Sequence, residues 1–153
     1  NENKSMNREL MFSNKNNAWC TPRDFFNTLN TEFNFTLDPC CMPKSALCEK
    51  FYTPDDDGLK QSWDNETVFC NPPYGREIGK WVKKASEAVG GVVVMLIPAR
   101  TDTRYFHEYI YHKAEIRFLK GRLKFLDMDY QGKEEDRKMS PAPFPSMLVI
   151  FRN

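Results

Sequence analysis

The chain has 153 residues, enough for one domain and short for two ordinary ones. Hydrophobic residues make up 41% and charged residues 28%, a balance that excludes disordered and fibrous classes and indicates a globular domain with a sizeable core. No apolar run reaches the roughly eighteen residues of a membrane helix, which excludes a helical span. Asn1 to Asn17 is polar and lacks the apolar centre of a secretory signal. The five cysteines have no disulfide-scaffold spacing, so a reducing, cytoplasmic setting is expected.

The net charge of +1 hides an uneven distribution. Residues 1–75 carry a balance of −4, residues 76–124 one of +6, and residues 125–153 one of −1. The basic middle can supply a phosphate-facing surface, or it can be a set of solvated helix faces.

Residues 1–17 are Asn-rich and unpatterned and are expected to be a mobile segment ahead of a single domain, 18–153. Thr21 or Pro22 opens a helix: Thr21 can cap it, Pro22 suits its first turn, and Asp24 favours its positive end. Phe25, Phe26, Leu29 and Phe33 recur there at helical spacing. Phe35-Thr36-Leu37 reads as a short buried strand ended by Asp38-Pro39. Residues 40–62 are irregular, with one short strand near 50–53. Glu66 to Cys70 is a second strand, broken by Asn71-Pro72-Pro73-Tyr74-Gly75. A helix follows from about Arg76 to Val89, with Ile78, Trp81, Val82, Ala85 and Val89 on one side.

Val92 to Ile97 is apolar at every position, as a strand covered on both faces requires. Thr103 to Tyr111 reads as a short helix, and Glu115 to Leu119 and Leu123 to Leu126 as strands around a turn at Gly121. Residues 127–145 read as a charged, Pro-rich loop, and Ser146 to Phe151 as the last strand. This order predicts a single-domain α/β fold: a largely parallel twisted sheet with flanking helices and an antiparallel C-terminal edge. Ligands bind such sheets beyond the carboxyl ends of the strands. Asp38-Pro39, Asn71 to Tyr74 and Pro98-Ala99-Arg100 all fall there.

Asn71-Pro72-Pro73-Tyr74 carries the chemistry. Two prolines remove two backbone donors and fix two φ angles, so the loop is stiff and presents carbonyl oxygens. Asn71 adds a side-chain acceptor, and Tyr74 a flat aromatic face. A planar group bearing an NH2 fits such a site. Accepting from the amine restrains it and frees its lone pair for attack on an electrophile in line. The bland alternative is an ordinary turn after a strand.

Asn-Pro-Pro-Tyr after a strand resembles the amine-binding motif of S-adenosylmethionine-dependent amino-methyltransferases. More of the chain is similar to one branch, the phage-type DNA N6-adenine methyltransferases. The matching pieces are Trp19-Cys20-Thr21-Pro22, Leu37 to Cys40, Asp57-Gly58-Leu59 with Trp63, Phe69 to Gly75, Leu96 to Thr103, Gly121 to Phe125, and Ala142 to Met147. The likeness runs from about Trp19 to Phe151. It implies a reduced Rossmann-like methyltransferase fold that moves a methyl group from S-adenosylmethionine to the N6 of a flipped adenine in double-stranded DNA, in a bacterial or phage-infected cytoplasm. Asn71 and the Pro72 carbonyl, braced by Pro73, would hold the amine, and Tyr74 would stack on the base. Asp38, with Pro39 and Cys40 beside it, would lie near the methionine portion of the cofactor. Asp57 would accept from its adenosine portion, and Trp19, Thr21 and Pro22 would close over the methionine end. The chain departs from the wider superfamily in one respect: no glycine occurs before Gly58, so the usual Gly-rich loop after the first strand is missing.

Residues 121–145 are expected to border DNA, with Arg122, Lys124, Lys133, Arg137 and Lys138 joined by Arg100. Such a small domain leaves no room for a separate target-recognition unit and is compatible with a homodimer over a duplex site. No metal is expected: Asp55-Asp56-Asp57 reads as a solvated turn, and the cysteines, lacking a Cys-x-x-Cys pair, as buried thiols. His107 and His112 read as structural or surface residues. Cytosine N4, a glutamine side-chain amide, or a non-catalytic DNA-binding role on a degenerate scaffold are the alternatives.

Overall fold

The structure is a computed structural model and describes residues 19–126 and 139–153. The expected mobile segment 1–17 and the candidate DNA contacts Lys133, Arg137 and Lys138 lie outside the described residues. In chain order the elements are α1 (Arg23–Phe33), β1 (Leu37–Asp38), β2 (Lys50–Phe51), β3 (Thr67–Cys70), α2 (Ile78–Glu87), β4 (Val92–Pro98), a π-helical turn (Phe106–Ile110), β5 (Glu115–Phe118), β6 (Lys124–Leu126), β7 (Met139–Pro141) and β8 (Ser146–Arg152).

Six strands form the main sheet in the order β2-β1-β3-β4-β8-β5. β2, β1, β3 and β4 are mutually parallel. β8 is antiparallel to both β4 and β5. β5 therefore points the same way as β1 to β4, and the chain leaving it emerges at the same edge as theirs. The reversed strand is the C-terminal one, as expected, and it sits one place in from the edge. β6 and β7 form a separate two-stranded ribbon. Part of the segment read as a loop over 127–145 is thus strand. Its pairing partner lies across the ribbon, so a local pattern could not reveal it.

Register divides the core in two. Phe69, Val94 and Ile150 share one face of the sheet, and Val93, Val149 and Met95 the other. All six are buried, so both faces are covered. Phe26 of α1 meets the Phe69 ring at 5.3 Å on the first face, and α2 packs on β4. Fully burying a side chain of this kind contributes roughly 1.5–3 kcal/mol. Asn34 ends α1 in the left-handed conformation at φ 58°, where Asn is tolerated. Arg117 of β5 grips Glu32 at the end of α1 through two 2.8 Å hydrogen bonds.

Two local expectations change. The N-cap of α1 is Pro22, with no side-chain cap, so Thr21 does not cap the helix. Its hydroxyl is engaged elsewhere, as described below. The segment 103–111 carries a π-helical turn instead of an ordinary helix.

β1 is the pivot of the topology. The chain passes from β1 to β2 on one side, then returns to place β3 on the other. Such a reversal opens a crevice beyond the carboxyl ends of the two central strands. The loops after β1 and β2 meet there. A Cβ built on Gly58 would lie 2.1 Å from the Pro39 carbonyl oxygen, so only glycine lets the two backbones approach this closely. Gly58→Ala should destabilise the protein by about 1–3 kcal/mol. Thermal unfolding checks this, and an unchanged melting temperature would show that these loops are not in contact.

Candidate active site at the carboxyl edge

Asn71 is placed by the end of β3 and by the two buried prolines that follow it. Its Nδ2 donates to the Trp19 carbonyl oxygen and, at 2.9 Å, to the Thr21 hydroxyl. Rotating the amide by half a turn would set its oxygen against the Trp19 carbonyl oxygen, which can only accept, so that contact fixes which end is the oxygen. Asn71 Oδ1 is then left buried with no partner among the described residues. An unsatisfied buried acceptor costs about 1–3 kcal/mol, which a folded chain seldom carries without a use for it.

Two other buried side-chain atoms share this condition among the described residues: Trp19 Nε1 and Ser146 Oγ. Both lie at the same edge. Trp19 is tied to Asn71 through its carbonyl. Ser146 opens β8 opposite Pro98, the last residue of β4. Among the described residues the unpaired buried side-chain donors and acceptors thus lie along the carboxyl edge of the sheet.

Tyr74 is buried, and its hydroxyl donates to the Leu96 carbonyl at 3.0 Å. Burial pushes its phenol well above the usual range, so it stays a neutral donor. Its ring lies nearly perpendicular to Phe144 at 5.6 Å and to Phe125 at 6.5 Å. Trp19 meets the same two rings, at 5.4 Å and 5.5 Å. The four rings come from four separate segments and form one aromatic wall, each good pair contributing about 0.5–1.5 kcal/mol beyond its burial. The ribbon closes it: Leu126 N–H donates to the Cys20 carbonyl, and Ala142 N–H to the Leu123 carbonyl. The Tyr74 ring, expected from sequence to offer a flat face, is therefore packed into this wall.

Asp38 ends β1 and is almost fully buried. Its oxygens accept from the Cys40 N–H at 3.3 Å and the Leu47 N–H at 3.1 Å. The carboxylate thereby shapes residues 40–47, the stretch that stands where a Gly-rich loop was missing. Desolvation outweighs these bonds and pushes its carboxyl up to about 7. Asp57 adopts φ 57° and accepts from the Leu59 N–H at 3.3 Å, capping the short turn Gly58–Lys60. Asp56 accepts from the Thr53 N–H and hydroxyl, so the acidic run behaves as a turn. Among the described residues no group of three or more His, Cys, Asp or Glu is arranged to hold a metal. Cys40, Cys41 and Cys70 are buried free thiols, which desolvation pushes well above their usual range. His107 and His112 are exposed.

Arg100 is exposed beyond β4 with its guanidinium 5.9 Å from the Phe144 ring centre. Arg122 and Lys124 are exposed at the start of β6. The structure thus brings Trp19, Thr21, Asn71 and Tyr74 together. It sets Asp38, Pro39 and Cys40 on the neighbouring strand end, joined to Asp57 through the Gly58 contact. Sequence reasoning assigned no role to Phe125, Phe144 or Ser146. They fell inside recognisable segments, but a single aromatic or serine in a loop carries no periodic signal.

This is an α/β domain whose carboxyl edge holds a rigid, unpaired amide oxygen beside an aromatic wall, at a topological switch point. The model of the DNA N-6-adenine-methyltransferase (Dam) family matches residues 10–153, and the chain belongs to that family. A DNA N-6-adenine-methyltransferase of Escherichia phage T1 is 35% identical to it over 123 residues, which is 78% of this chain and 50% of that protein. The chain spans about half the length of that relative. No helix among the described residues is long and apolar enough to cross a membrane.

Between the ordinary carboxyl value of 3.8 and about 7, the unfolded chain releases the Asp38 proton while the folded chain keeps it. Asp38 should therefore make stability fall as pH rises through that window and level off above it. Glu32 and Glu66 are held low by Arg117 and Lys50, so their contribution is lost only as pH falls below about 4.5. Urea unfolding from pH 4.5 to 8 should show the decline in the wild type and a flatter profile in Asp38→Asn. Equal slopes would mean that Asp38 is ionised throughout.

Proposed function

We propose that this chain is a DNA adenine-N6 methyltransferase that takes its methyl group from S-adenosylmethionine. The observation that carries the proposal is the Asn71 amide: its nitrogen is committed to Trp19 and Thr21, and its oxygen is buried and unpaired. That oxygen suits an N–H of an exocyclic amine, and membership of the family supports adenine as its bearer. Base extrusion from the duplex follows, since a paired N6 cannot reach a buried oxygen.

The residues fit the cofactor by the chemistry of their donor set. Asp57 and Asn71 place carboxylate and amide acceptors at the strand ends, which suits the hydroxyl and amine donors of an adenosine, and Asp38 holds the backbone of residues 40–47 beside them. Asp38, Pro39 and Cys40 would hold the methionine side, Asp57 the adenosine side, and Thr21 and Pro22 would close the methionine end. When bound, S-adenosylmethionine supplies an electrophilic methyl carbon on its sulfonium. The chain's own contribution is positional. Asn71 Oδ1 and the Pro72 carbonyl accept from the amine and turn its lone pair outward, Pro73 stiffens the loop, and Tyr74 limits the tilt of the base. The aromatic wall keeps water from the reacting nitrogen.

Duplex DNA is the proposed partner. Arg100, after β4, would border the crevice, and Arg122 and Lys124 would join it there, from the connection between β5 and β8 to which Lys133, Arg137 and Lys138 also belong by sequence. A homodimer over a duplex site remains part of the proposal, as does action in a cytoplasm. Incubation with labelled S-adenosylmethionine and mixed-sequence DNA, followed by nucleoside analysis, tests the activity. N6-methyladenine supports it. N4-methylcytosine, label in protein amides, or no transfer would each overturn it.

Two variants probe the assignments. Asn71→Ala should fold normally and lose about 10²–10³ in turnover, the usual cost of removing one preorganised polar group. Near-normal turnover would refute the amine clamp. Reversing charge at Arg122 and Lys124 should weaken DNA binding and flatten its salt dependence, with a slope reduced by about 0.9 per lost phosphate contact. Unchanged affinity in a filter-binding titration would remove these residues from the DNA surface.

A further inference from the structure

Asn71 Oδ1 is an acceptor without a donor, and Trp19 Nε1 is a donor without an acceptor. The two residues are bonded to one another through the Asn71 amide nitrogen and the Trp19 carbonyl. The Trp19 indole packs against Phe125 and Phe144, the same two rings that flank Tyr74. This places the indole with the aromatic wall, on the side of the crevice where the nucleobase is proposed to enter. The role expected from resemblance, closing over the methionine end of the cofactor, would offer the indole N–H the methionine carboxylate instead, and the calorimetry below separates the two.

Resting on the function proposed above, we propose that Trp19 reads the target base: its Nε1–H donates to the ring nitrogen next to the amine that Asn71 holds. Adenine presents this pattern. Its C6 amine donates, and a ring nitrogen on either side of C6 accepts. An acceptor and a donor on two residues bonded to one another complement a donor and an acceptor side by side on the base. Guanine and hypoxanthine carry an oxygen at C6 and a protonated N1. That edge would set oxygen against Asn71 Oδ1, and N–H against the indole N–H if N1 faced it. Both protein groups are buried, so a mismatched base leaves them unpaired, and such mismatches are rejected strongly. Trp19 is then a specificity-determining residue, and its bonding capacity explains a buried orphan donor that the fold alone does not use.

The test compares wild-type protein and Trp19→Phe on synthetic duplexes carrying the methylated sequence, with the target adenine replaced by 1-deazaadenine or by 7-deazaadenine. Phenylalanine keeps a ring in the aromatic wall and removes the N–H. Wild-type kcat/KM should drop by roughly tenfold to a hundredfold on one of the two analogues, the loss expected for one buried hydrogen bond. Trp19→Phe should be slower on adenine by a similar factor and should no longer distinguish adenine from that analogue. Its affinity for S-adenosylmethionine, measured by calorimetry without DNA, should be unchanged. Should Trp19→Phe fail to fold, the benzothiophene isostere of tryptophan at position 19 keeps the shape, lacks only the N–H and gives the same readout. Wild-type indifference to both analogues overturns the proposal. So does a Trp19→Phe variant that keeps the wild-type discrimination, or one that instead loses cofactor affinity. Failure of the wild type to methylate ordinary DNA would overturn the parent function and this inference with it, whereas normal methylation with no role for the N–H would overturn this inference alone.

Discussion

The site depends on how the Asn71 amide is held. Its nitrogen has two oxygens to satisfy, one from the Trp19 backbone and one from the Thr21 side chain. Those bonds decide the orientation of the group, and orientation decides its chemistry. With the nitrogen committed, the oxygen can only accept. An amide free to rotate would present a donor half the time and could not select for an amine. The two prolines after it serve the same end, because a loop with two fixed φ angles loses little entropy when a ligand is held against it.

Much of the remaining architecture positions that amide. β3 carries it to the edge, and β1 and β4 flank β3 in the interior of the sheet. Trp19 and Thr21, just before α1, supply both acceptors. That segment is itself fastened by β6, through the bond from Leu126 to Cys20. The ribbon of β6 and β7 is thus connected to the amide by a short series of contacts. Residues far apart in sequence, on either side of α1 and β3, meet within two hydrogen bonds of the Asn71 amide.

The second strand end solves a different problem. A parallel α/β sheet with no glycine after its first strand needs another way to turn the chain beside the crevice. Here a buried carboxylate does it, accepting from the backbone of residues 40 and 47. Gly58 then supplies the close approach, on the loop after β2, against the Pro39 carbonyl. The function of a glycine-rich turn has been divided between an aspartate and a glycine some twenty residues later in the chain. The arrangement also costs stability, because a carboxyl pushed up to about 7 by burial resists ionisation in the folded state.

Local chemistry fixed the readable part. Apolar runs such as Val92 to Ile97 declared buried strands, and the Asn-Pro-Pro-Tyr string declared a stiff, acceptor-rich turn, because both follow from neighbours in the chain. The helices and the carboxyl-edge location of the candidate residues were legible for the same reason. Thr21 shows the limit: by sequence it is a helix cap, yet its hydroxyl serves Asn71, fifty residues away. Phe125, Phe144 and the pairing of β6 with β7 were equally silent. Each acquires its role only from a partner brought close by folding. The sequence determined which groups could accept, stack or stiffen. Only the tertiary structure decided which of them were already satisfied, and the unsatisfied ones at the crevice mark the candidate site.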